Sequence, residues 1–160
     1  MTTYHLAQLN IGRMLGYRDD PIVAGFFARL DEINALAEAA PGFVWRLQTE
    51  EGDATSIHAF DDDLLLINMS VWESVETLHQ FAYYSQHVEL YRQRQEWFHK
   101  LSEAILVMWW IPAGTIPTIE EAKAKLEHLR QHGATPEAFN FKNCFSPQGE
   151  PVTMKGVKTV

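Results

Sequence analysis

The run Leu64 to His87, LLLINMSVWESVETLHQFAYYSQH, constrains this chain more than any other. Leu64 to Trp72 has the composition of a strand, and it passes through Glu73-Ser74 into a helical pattern. Side chains alternate along a strand. Leu64, Leu66, Asn68, Ser70 and Trp72 therefore share one face, and Leu65, Ile67, Met69 and Val71 share the other. The second face is wholly apolar. The first sets an amide, a hydroxyl and an indole among leucines, and polar groups on a buried face must either bond to a neighbouring strand or line a cavity.

The other elements are arranged around this strand. Tyr4 to Ile11 alternates, with His5, Ala7, Leu9 and Ile11 opposed to Leu6, Gln8 and Asn10. Asp20-Pro21 opens a helix, the aspartate as N-cap and the proline at a position where its missing N–H costs nothing. Ile22, Val23, Phe26, Phe27, Leu30, Ile33 and Ala37 give that helix its apolar stripe, and Pro41-Gly42 stops it. Phe43 to Gln48 reads as a second strand, with Phe43, Trp45 and Leu47 on one face. Thr49 to Asp63 is polar and acidic, without the spaced ligands and glycine of a calcium loop, and reads as a solvated connection with a short extended piece near Ile57.

Ser74 caps a helix whose buried side is Val75, Leu78, Phe81 and Ala82. A second helical pattern covers about Gln86 to Leu101. Ala104 to Pro112 is nearly all apolar, as a strand buried on both faces would be. Thr118 to Glu121 has the form of a capping box and opens a helix over 118–133. Phe139, Phe141 and Phe145 form an apolar arm, and the Pro, Gly, Lys and Thr content of 146–160 reads as a mobile tail. The expectation is one domain over residues 1–145.

The order strand, helix, strand, strand, helix, strand is that of an α+β, ferredoxin-like βαββαβ fold, an antiparallel four-stranded sheet with two helices on one face. The opposite apolar face then needs cover. A second copy of the sheet, giving a homodimer, is the favoured cover; the alternative is the chain's own C-terminal helix and Phe-rich arm.

The chain carries a formal net charge of -8 and no run of basic residues, which argues against nucleic-acid and anionic-membrane partners. Its most apolar segment is too short to span a bilayer. A single cysteine, Cys144, excludes an internal disulfide and any multi-cysteine metal site. With no signal-peptide pattern at the start, the expected setting is the cytoplasm.

Three motifs, LAQLNIGR (Leu6 to Arg13), NMSVWES (Asn68 to Ser74) and WWIPAG-x-IPT (Trp109 to Thr118), resemble an uncharacterised bacterial family, domain-of-unknown-function family 3291. The resemblance covers about Tyr4 to Phe145 and implies the dimeric α+β barrel superfamily. More distantly, the chain is similar to the antibiotic-biosynthesis and haem-degrading monooxygenases of that superfamily. Those enzymes often carry Asn at the end of strand one, Trp at the end of strand three and His on the helix after it. Asn10 and Trp72 match the first two positions. Phe81 or Ala82 stands at the third, so no haem or other cofactor is expected.

The candidate site follows from these residues. Asn10, Asn68 and His87 are the candidate catalytic groups; Gln8, Ser70, Trp72, Tyr84, Trp97 and Trp109 are the candidate substrate contacts. In one reading they surround a small aromatic or polyketide-like substrate, with His87 as proton acceptor and the amides facing a developing oxyanion, as a cofactor-independent monooxygenase requires. In the other, the amides only bond across strands, the tryptophans are core, and the protein is a non-catalytic ligand-binding or structural module. His87 reads equally as a base held neutral by aromatic surroundings and as a half-exposed surface histidine. The seven histidines are scattered, and no metal site is expected.

Overall fold

A computed structural model describes residues 3–48, 60–84 and 92–153. Four strands, β1 (Tyr4–Arg13), β2 (Phe43–Arg46), β3 (Leu65–Trp72) and β4 (Leu106–Pro112), form one antiparallel sheet in the order β2-β3-β1-β4. The helices α1 (Ala24–Ala39) and α2 (Val75–Tyr84) follow β1 and β3 in the chain. This is the ferredoxin-like α+β arrangement. A third helix, α3 (Ile119–His132), and a two-stranded hairpin of β5 (Cys144–Phe145) and β6 (Pro151–Val152) complete the described chain.

Local chemistry fixes the helix starts. The Asp20 side chain accepts from the Ile22 N–H at 2.9 Å, and a single 3-10 turn, Pro21–Val23, leads into α1. At α2, Ser74 and Thr77 cap each other: the Thr77 N–H donates to Ser74 Oγ and the Ser74 N–H to Thr77 Oγ1, both at 3.2 Å. Thr118 Oγ1 accepts from the Glu121 N–H at 3.0 Å. Only half of the expected capping box forms, because the Glu121 carboxylate accepts the Trp109 indole N–H at 2.7 Å instead.

Two apolar clusters lie on opposite faces of the sheet. On the α1 and α2 side, Leu6, Leu66, Trp72 and Met108 pack with Ile33, Leu78 and Phe81. On the other side, Leu9, Ile67, Met69, Val71 and Trp109 pack under Ala122, Leu126 and Leu129 of α3. The chain's own third helix therefore buries the face for which a second copy of the sheet was the favoured cover. Met69, Val71 and Trp109 are each only 1% exposed in the single chain. A homodimer must use a surface other than this one.

The Phe-rich arm does not join α3. Phe139 exchanges both backbone hydrogen bonds with Met108, at 2.8 and 2.9 Å, along the outer edge of β4. The arm then turns onto the helix side, where Phe141 packs beside His79 and Tyr83. Residues 146–153, which composition marks as tail, close the β5-β6 hairpin through Ser146 N–H to Glu150 C=O at 2.7 Å and Gly149 N–H to Ser146 C=O at 2.9 Å.

Two further readings change, and a third lies outside the described residues. A register shift between Phe43 and Trp45 breaks the alternation of β2, so Phe43 packs on the helix side and Trp45 on the α3 side. The helical pattern over Gln86 to Leu101 does not reach its end. After a 3-10 turn at Arg94–Glu96, the chain peels away to bond with the end of β1 and the residues just beyond it, His99 N–H to Arg13 C=O and Leu15 N–H to Trp97 C=O, both at 2.8 Å. Phe98 comes to lie over Gly12, where a Cβ would meet its ring at 2.8 Å. The extended piece near Ile57 lies outside the described residues. Just before β3, Asp62 accepts from the Leu64 N–H and from Arg13 Nε at 3.0 Å, and the two bonds hold its carboxyl below the usual range.

Candidate functional site

β1 and β3 place their polar side chains together because the register demands it: Gln8 faces Ser70 and Asn10 faces Asn68. These side chains form one network. Gln8 Nε2 donates to Asn68 Oδ1 at 2.8 Å and to Ser70 Oγ at 2.7 Å, and Trp72 Nε1 donates to Ser70 Oγ at 2.8 Å. Asn10 Nδ2 lies 3.2 Å from Gln8 Oε1 and 3.4 Å from Asn68 Oδ1. The cross-strand reading of the amides is thus met.

The same residues also floor a cavity of about 550 Å³ between the sheet and the helices, a size suited to a small organic ligand. Phe26 and Ile33 of α1, Leu78 and Phe81 of α2, and Trp97 and Phe98 supply apolar walls. Asn68 is exposed although its strand has neighbours on both sides. The hollow above it is what leaves the amide uncovered. Bonding across strands and lining a cavity are not alternatives here; the network does both.

Of the residues singled out from sequence, Gln8, Asn10, Asn68, Ser70, Trp72 and Trp97 all line this cavity. Trp109 does not. It points to the opposite face, beneath α3, with its indole bonded to Glu121, because it is adjacent in β4 to Trp110 and alternation sends the two to opposite sides. Tyr84 ends α2 with its side chain outside those described, and His87 lies outside the described residues altogether. Arg46, Asn34, Arg94 and Lys142 also line the cavity and were missed. Arg46 was detectable: it follows Trp45 on the polar face of β2, and its register partner is Ser70.

Phe81, which with Ala82 stands where the distant resemblance would put a helix His, stacks on Trp72 with ring centroids 5.2 Å apart and 28° between planes. The nearest described histidine, His79, packs among Tyr83 and Phe141, and burial holds its pKa below the usual imidazole value. Among the described residues, no three His, Cys, Asp or Glu side chains gather as a metal would require.

Cys144 is equally unsuited to nucleophilic work. Its thiol donates to the Asn140 carbonyl at 3.2 Å, and burial, with the Glu76 carboxylate adding to it, pushes its pKa up to about 11. At pH 8 only about one thiol in a thousand is then ionised. The native protein is expected to leave Ellman's reagent unreacted at pH 8, while the urea-unfolded chain releases one equivalent of thiolate. Rapid reaction of the native protein would contradict the burial.

Fold and site together define a class: a ferredoxin-like α+β domain with a polar-floored cavity under its two crossover helices. Residues 5–155 match the model of the family described as a domain of unknown function, DUF3291, and the chain belongs to that family. The match runs past Phe145 and takes in the small hairpin. No curated protein and no solved structure matches the chain. No helix among the described residues is long and apolar enough to cross a membrane.

Proposed function

We propose that this protein binds a small, largely apolar organic molecule in the cavity between sheet and helices. One observation carries the reading: a bonded set of amides and a hydroxyl floors a hollow walled mainly, though not wholly, by aromatic and aliphatic side chains. Polar groups on the floor, with Asn68 exposed to the hollow, beside apolar walls give the composition of a small-molecule site.

A cofactor-independent monooxygenase acting on an aromatic or polyketide-like substrate is the catalytic form of this proposal. The floor's donors suit a developing enolate, and the resemblance to the antibiotic-biosynthesis monooxygenases supports it. Among the described lining residues no His, Asp or Glu is available as a base, so His87 is the group on which that chemistry would rest. Phe81 favours a haem-free site. The resemblance to the dimeric α+β barrels also implies a homodimer, which with α3 lying on the sheet would need a surface other than that face; the single cysteine fits a cytoplasmic setting.

Binding is tested with the neutral probe 2-naphthamide, read as quenching of tryptophan fluorescence, since Trp72 and Trp97 line the cavity. Saturable quenching is expected, weakened at least tenfold in Ala82→Phe, which narrows the cavity from α2. An unchanged affinity in that variant would place the probe elsewhere. Oxygen uptake with quinol-like and flavonoid-like aromatics tests catalysis: His87→Ala and Asn68→Ala should each lower it, and equal rates in all three proteins would remove both residues from the reaction. Equimolar haemin is expected to produce no protein-bound Soret band.

A further inference from the structure

We infer that the cavity is built for a ligand that carries a carboxylate, held at the sheet by Arg46 with Ser70 and Asn68. The inference rests on the binding reading above and names the class of molecule bound. It follows from a count of donors and acceptors along the floor.

Arg46, Ser70 and Gln8 form one row across three strands, since the register pairs Arg46 with Ser70 and Ser70 with Gln8. Ser70 Oγ accepts from both Gln8 Nε2 and Trp72 Nε1, which fills the two acceptor sites of a hydroxyl. Its own proton is left to donate, and no described side chain accepts it. Asn68 Oδ1 likewise accepts from Gln8 and from Asn10, leaving the Asn68 NH₂ to point elsewhere. Arg46 gives Nε to Glu38 at 2.8 Å. A guanidinium carries five N–H donors in a planar fork, and the edge formed by its two terminal nitrogens has no acceptor among the described residues.

Against these donors the floor's spare acceptor capacity is the Asn10 side-chain oxygen and the second lone pair of Gln8 Oε1, both uncharged. Charge points the same way. The whole chain has 21 acidic residues and 13 lysines and arginines. The described lining nevertheless contains Arg46, Arg94 and Lys142 and no carboxylate. Glu38, the one acid that touches Arg46, is half-exposed and lies outside the lining. An acceptor-rich, negatively charged group is what this surface lacks. A carboxylate satisfies the planar edge of Arg46 with two parallel bonds and still presents lone pairs to the Ser70 hydroxyl and the Asn68 amide. The apolar walls of Phe26, Leu78, Phe81 and Trp97 then take the body of the molecule, so the class is an aromatic or similarly bulky apolar monocarboxylate.

The test compares 2-naphthoate with its neutral isostere 2-naphthamide by titration calorimetry. In the wild-type protein the carboxylate is expected to bind at least tenfold more tightly. In Arg46→Gln that preference should fall to about one through loss of naphthoate affinity, and Ser70→Ala should reduce it severalfold. Glu38→Gln supplies a change in the opposite direction: releasing Nε and removing the competing charge should tighten naphthoate binding, which a merely structural Arg46–Glu38 pair would not do. Equal affinities for the two probes in the wild-type protein, or a preference unaltered in Arg46→Gln, would overturn the carboxylate assignment while leaving the cavity reading intact. Failure of both probes to bind would overturn the cavity reading itself, and the carboxylate assignment with it.

Discussion

Trp72→Ala should remove about 4 kcal/mol of folding stability, within the range for truncating a buried aromatic to alanine. The indole is 1% exposed, stacks on Phe81, meets Phe43 edge-on with ring centroids 5.5 Å apart and donates its N–H to Ser70. It thus joins β2, β3 and α2 at the inner end of the cavity. Urea denaturation followed by circular dichroism reads the loss as a lower midpoint with a similar slope. Trp72→Phe keeps the ring contacts and deletes only the N–H, so it should cost far less, about 1 kcal/mol for the hydrogen bond plus a packing remainder. Equal losses in the two variants would mean that the N–H, not the ring area, dominates.

Gly42→Ala is expected to cost about 3 kcal/mol, from two sources. Gly42 has φ +82°, a left-handed conformation that charges a non-glycine residue about 1–2 kcal/mol. A Cβ there would also collide with Thr77 Cβ and Cγ2, and overpacking of this kind adds about 1–3 kcal/mol. Thr77 cannot move aside cheaply. It is β-branched, and it is bonded to Ser74 in the cap of α2. The Gly42 carbonyl meanwhile accepts from the Glu73 N–H at 2.8 Å, which fixes the turn against the end of β3. A double-mutant cycle with Thr77→Gly separates the two sources, because it removes the clash and leaves the conformational cost. A coupling of about 1–3 kcal/mol is expected by denaturant titration, and a coupling near zero would assign the whole loss to φ.

How much of this molecule can be read from sequence depends on how local the deciding interaction is. Asp20-Pro21, Ser74 and Thr118 mark helix starts because a cap bonds to backbone two or three residues away, and all three caps form. The order of elements specifies the sheet. The polar face of β3 and the matching face of β1 foretell the Gln8-Asn68-Ser70 network, since the period of two survives in both strands. The bulge in β2 left no comparable trace. A single register shift reversed the face of Phe43 relative to Trp45.

The cover of the second face was illegible for another reason. A wholly apolar face states that something must lie on it but not what. The stripe of Ala122, Leu126 and Leu129 fits that need as well as a second sheet does, and only tertiary packing decides between them. The arm was hidden similarly: nothing near Phe139 in sequence announces that its backbone would pair with Met108.

The adjacent tryptophans of β4 have a consequence for how the chain can be divided. Trp109 ties the first turn of α3 to one side of the strand, while Trp110 donates its indole N–H to the Phe145 carbonyl at 2.7 Å on the other. Two neighbouring residues thereby rivet the last third of the protein to both surfaces of its sheet. Cutting the chain after Pro112 to isolate the four-stranded unit would strip one surface of its lid and leave two indoles facing water. The minimal autonomous piece of this protein therefore extends through the terminal hairpin, and fragments intended for expression or fusion should end beyond Val152.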